Sequence, residues 1–133
     1  MDGQPGKRLL LVEDDADTRE TLAYALELAG FQVRTAGDGD RGLELAAQWE
    51  PDLMLLDLLM RRLHGEQLIE ALQRDPSLRK IPVIVISGLP AGSAPAAFAH
   101  VQKPFALQEL IRAVRAALGE SGPGPADAAR PAG

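Results

Sequence analysis

Carboxylates directly follow two of the chain's short apolar segments. Glu13 and Asp14 come after the segment LLLV, and Asp57 comes after LMLL. If both segments are neighbouring parallel strands, these side chains meet at one edge of the sheet, because the carboxyl ends of parallel strands lie together. Carboxylate and carbonyl oxygens are the ligands that Mg2+ prefers. The pattern therefore predicts a Mg2+ site in which Asp14 and Asp57 supply carboxylates and Leu59 supplies its main-chain carbonyl.

A hydroxyl and an ammonium group stand at comparable places further along the chain. Ser87 follows the apolar segment IPVIVI, and Lys103 precedes Pro104 and Phe105. An aspartate held beside Mg2+ can attack a phosphoryl group and become an acyl phosphate. The oxygens of that phosphoryl group need positive charge and hydrogen-bond donors, which Mg2+, Lys103 and Ser87 would supply. The set therefore favours phosphoryl transfer to Asp57.

Short apolar segments predict the strands that position these groups. Three of them are continuous, which suits strands covered on both faces of a parallel sheet, and one alternates with polar residues, which suits an edge strand. A fifth, short strand is predicted just before Lys103. The predicted strands lie at residues 9–12, 32–36, 53–56, 81–86 and 100–102.

Amphipathic segments between and after the strands predict helices. The first is expected to begin with Asp17 as N-cap and to stop at Gly30. The last has the clearest apolar stripe, which comprises Leu107, Leu110, Ile111, Val114 and Leu118. Because strand and helix alternate along the chain, the predicted fold class is a doubly wound α/β domain.

Composition limits the classes of function. The 133 residues, of which 46% are hydrophobic and 25% charged, suit one globular domain. A formal net charge of -5 argues against direct nucleic-acid binding, because phosphate contacts need a basic face. No segment has the length or pattern of a signal peptide or a membrane span, so we expect a cytoplasmic protein with no membrane contact.

Four motifs of the chain resemble the landmarks of receiver domains in two-component response regulators. They occur in that family's order, and the resemblance covers residues 7–118. The resemblance implies a flavodoxin-like, five-stranded parallel sheet of order 2-1-3-4-5, and a cis peptide bond between Lys103 and Pro104. The motifs are Leu11-Val12-Glu13-Asp14-Asp15, Leu56-Asp57 with Gly65 in the following loop, Ile86-Ser87-Gly88 and Lys103-Pro104-Phe105.

The resemblance also implies a role for each site residue. Asp57 would be the phosphoacceptor, Asp14 a direct metal ligand, and Glu13 a ligand through water. Ser87 would hold the family's switch position, and Lys103 would be the lysine that contacts the phosphoryl group. The phosphoryl donor would be a histidine kinase or a histidine phosphotransfer protein, and the domain would be a monomer or weak dimer that binds a downstream protein target not identifiable from the sequence.

The chain departs from the family pattern in three places. Arg61 stands where the family usually has proline. Only sixteen positions separate Ser87 from Lys103, roughly six fewer than is usual, which removes about a turn and a half of helix. The helix between the fourth and fifth strands is therefore predicted to be shortened or missing. His100 takes the place of the family's aromatic switch residue, although a plain edge-strand histidine is equally compatible.

Two leucines predict a long-lived acyl phosphate. In receivers, the residues two positions after the phosphoacceptor and two after the switch residue border the approach of the hydrolytic water. Here these residues are Leu59 and Leu89, which have no group to orient a water molecule. We therefore expect slow self-dephosphorylation. Turnover of external substrates is not expected for a separate reason, because Leu59 stands where an acid would be needed as proton carrier.

The same residues are compatible with two other classes of protein. A phosphatase of the haloacid-dehalogenase type shares the aspartate nucleophile, Mg2+, serine and lysine, but it needs an acid two positions after the nucleophile, where this chain has Leu59. A receiver-like docking module that works without phosphorylation is the main alternative. The intact set of Asp14, Asp57, Ser87 and Lys103 argues against it, whereas Arg61 and the shortened connection leave it open. For the domain layout we expect a flexible N-terminus at residues 1–6, a receiver at 7–118 and a disordered tail at 119–133, with no output domain within these 133 residues.

Overall fold

The computed structural model describes residues 6–57, 65–88 and 99–119. Within these ranges there are five strands and four helices, and the order of elements is that of a doubly wound α/β domain. The elements are β1 (Arg8–Val12), α1 (Ala16–Leu28), β2 (Gln32–Ala36), α2 (Gly39–Trp49), β3 (Leu53–Asp57), α3 (Gly65–Arg74), β4 (Val83–Ser87), β5 (Ala99–Gln102) and α4 (Leu107–Ala117).

The five strands form one parallel sheet in the order β2-β1-β3-β4-β5. This is the predicted order, and the fold class is confirmed. β3 and β4 are buried throughout, and β1 is buried after its first residue, as continuous apolar segments require when helices cover both faces. β2 alternates between exposed and less exposed residues, as expected for an edge strand. The sheet therefore brings the carboxyl ends of β1 and β3 side by side.

Two hydrophobic layers cover the sheet, one on each face. Side chains alternate between faces along each strand, so neighbouring residues of β1 and β3 enter different layers. Leu10 and Met54 pack with α2 and α3 on one face. Leu9 and Leu53 pack with α1 and α4 on the other. The central strands are thus held from both sides.

Three details differ from the predictions. The N-cap of α1 is Asp15 and not Asp17, because the Asp15 side chain accepts the main-chain N–H of Thr18 at 2.9 Å. β4 begins at Val83, since the N–H of Ile81 donates to a turn carbonyl of Leu78. Leu107, predicted to be part of the apolar stripe, is 40% exposed because it opens α4 at the edge of the core.

The connection between β4 and β5 was predicted to lack a full helix. Residues 89–98 of this connection lie outside the described residues. The predicted tail also lies outside them, except for Gly119, so the proposed domain boundaries stay predictions. No helix in the described part of the chain has both the length and the apolar character needed to cross a lipid bilayer.

Candidate functional site

The predicted acids stand at the carboxyl ends of β1 and β3. Asp57 is the last residue of β3 and is 7% exposed. Glu13 follows β1 and is 2% exposed, and its main-chain N–H still donates to the carbonyl of Ala36 at 3.0 Å. Asp14 comes next and is half-buried. Their positions follow from the register of the sheet, in which Val12 lies beside Leu56.

Lys103 lies across from these acids. Its Nζ is 3.7 Å from Oδ2 of Asp57 and 4.0 Å from Oε1 of Glu13. Its main-chain N–H donates to the carbonyl of Ser87 at 2.8 Å, so the end of β4 sets the backbone position of the lysine. Ser87 is itself 1% exposed. The peptide bond between Lys103 and Pro104 is cis, as the resemblance implied.

Three carboxylates converge closely enough to hold one cation. One oxygen from each of Glu13, Asp14 and Asp57 lies within 4.8 Å of the other two. Clustered anions of this kind repel each other, and a hard divalent cation with oxygen ligands relieves that repulsion. The donor set therefore fits Mg2+. Leu59, predicted to add a carbonyl ligand, lies outside the described residues.

Glu13 holds its proton unusually strongly in the metal-free protein. Burial raises the pKa of its carboxyl from 4.5 to about 7. The negative charge of Asp57 and a side-chain hydrogen bond with Asp57 also raise this pKa, whereas the main-chain N–H of Asp15 and the charge of Lys103 lower it. The Asp15 N–H donates to Oε2 of Glu13 at 3.1 Å. Near neutral pH, Glu13 is therefore partly protonated, which lowers the repulsion between its carboxyl group and Asp57.

This raised pKa predicts how the stability of the metal-free protein depends on pH. Between pH 4.5 and about 7, folded Glu13 retains a proton that the unfolded chain has released. Its contribution to the free energy of unfolding is therefore fully present below pH 4.5 and is lost as the pH rises through about 7.

The measurement is urea unfolding in chelator from pH 4 to pH 8, in wild type and in Glu13→Gln. Subtracting the variant isolates Glu13 from the other titrating groups. Wild type should lose stability relative to Glu13→Gln as the pH rises through this window. Parallel pH profiles for the two proteins would contradict the raised pKa.

Asp15 follows the carboxylate cluster in sequence, and its role differs from that of the three clustered acids. Its side chain accepts from both the main-chain N–H and the hydroxyl of Thr18, at 2.9 and 2.6 Å. The hydrogen bond from the hydroxyl has the largest effect in lowering the pKa of Asp15, and the hydrogen bond from the main-chain N–H lowers it further. The side chain is thereby committed to capping α1. Asp15 therefore acts at the start of the helix, and it is not one of the three converging carboxylates.

The structure tests the predictions for His100, Arg61 and Leu89 only in part. His100 lies on β5 beside Val85. Its Nε2 is buried, and no described residue forms a hydrogen bond with it. Arg61 and Leu89 lie outside the described residues, so their predicted effects stay predictions.

One residue at this site was not singled out from the sequence. Arg19, at the end of the first turn of α1, donates from Nη1 to the main-chain carbonyl of Glu13 at 2.9 Å. The available signal was a basic residue four positions after Asp15, a spacing that places both on one face of a helix. That spacing alone would have indicated a surface ion pair and not a contact with the carbonyl of a site residue.

Comparisons with known proteins agree with this geometry. Residues 9–115 match the family described as "Response regulator receiver domain". The chain is 34% identical over 117 residues to the DNA-binding dual master transcriptional regulator RpaA of Synechocystis sp., which covers 84% of this chain and 48% of that protein. It is 33% identical over 133 residues to the phosphate regulon transcriptional regulatory protein PhoB of Pseudomonas aeruginosa, covering 92% and 56%. The chain thus spans about half the length of these relatives.

A solved structure with the same architecture is the response regulator TrrA of Thermotoga maritima, crystallised in complex with Mg2+ and BeF. It superposes with a TM-score of 0.76 at 26% identity, and the match covers 84% of this chain and 98% of that one.

Proposed function

Because this chain belongs to the response regulator receiver domain family, we propose that Asp57 accepts a phosphoryl group in a Mg2+-dependent reaction and thereby switches partner binding in a phosphorelay. The observation that carries the proposal is the position of Lys103, whose Nζ faces Asp57 where three carboxylates converge. A buried carboxylate with an opposing ammonium and a cation site has what an acyl phosphate requires.

The transfer begins with attack of an Asp57 carboxylate oxygen on the phosphorus of a phosphohistidine. A new O–P bond forms as the P–N bond breaks, and the departing imidazole takes up a proton. Asp14 and Asp57 would hold Mg2+ directly and Glu13 through water, and the bound ion would neutralise charge on the phosphoryl oxygens.

Lys103 and Ser87 contribute the protein's own stabilisation. The ammonium of Lys103 already lies 3.7 Å from Asp57 and is positioned to pair with a phosphoryl oxygen after transfer. Ser87 ends β4 beside the central strand and carries the hydroxyl that would donate to another of these oxygens. Because the Lys103 N–H donates a hydrogen bond to the Ser87 carbonyl, a shift in the backbone of one residue would displace the other.

The partners follow from this chemistry. The donor would be a histidine kinase or a histidine phosphotransfer protein, and a cytoplasmic location is part of the same proposal. RpaA and PhoB are named as DNA-binding and transcriptional regulators. The formal net charge of -5 favours a protein target for this domain over direct contact with nucleic acid.

The function is tested by incubating the chain with acetyl phosphate, with and without Mg2+, and measuring intact mass. One added phosphoryl group, formed only with Mg2+, is the expected result. A folded protein that gains no mass under either condition would instead support the docking module that works without phosphorylation.

We also expect the acyl phosphate to be long-lived. Leu59 and Leu89 are proposed to border the path of the hydrolytic water, and neither can orient it by hydrogen bonding. The measurement is the decay of labelled protein after donor removal, in wild type and in the double variant Leu59→Asn, Leu89→Glu. The double variant should lose its label several-fold faster, and equal decay rates would show that these leucines do not protect the phosphoryl group.

A further inference from the structure

Arg19 contacts the main chain inside the acidic cluster. Its Nη1 donates at 2.9 Å to the carbonyl oxygen of Glu13. That carbonyl belongs to the peptide unit that joins Glu13 to Asp14, two of the three residues whose carboxylates converge. Arg19 is half-buried and belongs to α1, so the contact connects a helix to the loop that carries these acids.

The same stretch of backbone is held by other contacts on different sides. The Glu13 N–H donates to the carbonyl of Ala36 at 3.0 Å, which continues the pairing of β1 with β2. The Asp15 N–H donates to the Glu13 side chain at 3.1 Å. Arg19 supplies the contact on the carbonyl side, so the direction of the peptide between the two acids depends on it.

Gly37 leaves the space that this guanidinium occupies. A Cβ placed on Gly37 would lie 3.2 Å from Nη1 of Arg19 and 3.8 Å from its Cζ. Gly37 does not adopt a positive φ, so its backbone conformation does not require glycine. Its lack of a side chain therefore matters here because it makes room for Arg19.

We propose that Arg19 is a positioning residue for the cation site, acting through the Glu13 carbonyl to orient the carboxylates of Glu13 and Asp14. This inference rests on the proposed Mg2+-dependent phosphorylation of Asp57. A guanidinium placed near a cation site opposes cation binding by its charge. Loss of Arg19 should strengthen Mg2+ binding if only its charge matters, and weaken binding if its contact with the loop matters.

The sign of the change in affinity is therefore the test. Mg2+ dissociation constants are measured by calorimetry in wild type, Arg19→Met, Arg19→Lys and the control Arg41→Met. Arg41 is exposed and pairs with Glu44 on the surface of α2, so its replacement changes the net charge equally without touching the acidic loop. We expect Arg19→Met to bind Mg2+ about 10-fold more weakly, the scale seen when a group supporting a metal ligand is removed.

In the other variants, the affinity for Mg2+ should depend on the hydrogen bond to the Glu13 carbonyl and not on the net charge. Arg41→Met should retain wild-type affinity, and Arg19→Lys, with a shorter donor, should be intermediate. The Mg2+ concentration for half-maximal phosphorylation should rise in Arg19→Met, while the rate at saturating Mg2+ should stay close to that of wild type. A merely structural role would lower both the rate and the fraction of folded protein.

Gly37→Ala gives a second route to the same contact. It keeps the charge of Arg19 and crowds its guanidinium, so Mg2+ binding should weaken to a smaller extent. In the Arg19→Met background the same change should add nothing, because the two residues act through one contact. If Arg19→Met does not fold, Arg19→Lys and Gly37→Ala decide the question. Both variants retain the three carboxylates and a positive charge at position 19.

The outcomes separate this inference from the proposed function. Unchanged or tighter Mg2+ binding in the Arg19 variants, beside a wild type that binds Mg2+ and is phosphorylated, overturns the role of Arg19 alone. A wild type that neither binds Mg2+ nor accepts a phosphoryl group overturns the proposed function instead.

Discussion

Replacement of Asp57 by asparagine should abolish phosphorylation. Asparagine keeps the size of the side chain but cannot form an acyl phosphate, so the phosphoryl group loses its acceptor. We expect labelling by acetyl phosphate to fall by more than about 10³-fold, the scale of loss when a catalytic nucleophile is removed. The measurement is intact mass after incubation with donor and Mg2+, followed by peptide mapping of the wild-type label.

Asp15→Asn is the matched control for this variant. It removes one carboxylate from the same edge of the sheet, and asparagine caps a helix about as well as aspartate. Because Asp15 caps α1 through Thr18, the control should remain folded and should be labelled like wild type. Label mapped to Asp14 or Asp15, or full labelling of Asp57→Asn, would contradict the assignment of the phosphoacceptor.

Replacement of Asp14 by asparagine should remove the stabilisation that Mg2+ gives to the unphosphorylated protein. A cation that binds only the folded state adds about 1.4 kcal/mol to the free energy of unfolding at ten times its Kd. For a domain of this size that corresponds to a rise in Tm of roughly 3–6 °C. Asp14 shares its cluster with two other carboxylates within 4.8 Å, so its replacement would take away a proposed ligand and one of the three attracting charges.

The same variant should behave in the opposite way without metal. In chelator, removing one of three clustered acids relieves repulsion, and Asp14→Asn should melt at a higher temperature than wild type. The two melting curves should therefore change order when Mg2+ is added. NaCl at equal ionic strength is the control, because general screening affects both proteins alike. An equal rise in Tm on addition of Mg2+ in wild type and in Asp14→Asn would show that Asp14 does not bind the cation.

Local sequence patterns determined much of this protein's architecture. Continuous apolar segments place β1, β3 and β4 in the middle of a parallel sheet, because only strands covered on both faces tolerate such sequences. Each of these segments ends at a polar residue that marks the strand's carboxyl end. The position of Asp57 and Ser87 at one edge of the sheet was therefore predictable, as was the approximate location of Glu13.

The choice of helix cap was not predictable from the same patterns. Asp15 and Asp17 both precede a plausible helix, and the sequence-based choice of Asp17 was wrong. The cap is decided by which side chain can reach an unpaired main-chain N–H after the chain leaves β1. That depends on the path of the loop, and Asp15 reaches Thr18 because the helix begins at Ala16.

The sequence by itself thus determined the fold class and which residue types stand at the strand ends. Only the tertiary structure decided that Lys103 lies 3.7 Å from Asp57, that burial raises the pKa of Glu13 to about 7, and that Arg19 holds the carbonyl between two acids. The physical reason is the distance along the chain over which each interaction acts. Periodicity and capping act over a few neighbouring residues, whereas distances, burial and charge coupling at the site arise between segments brought together by folding.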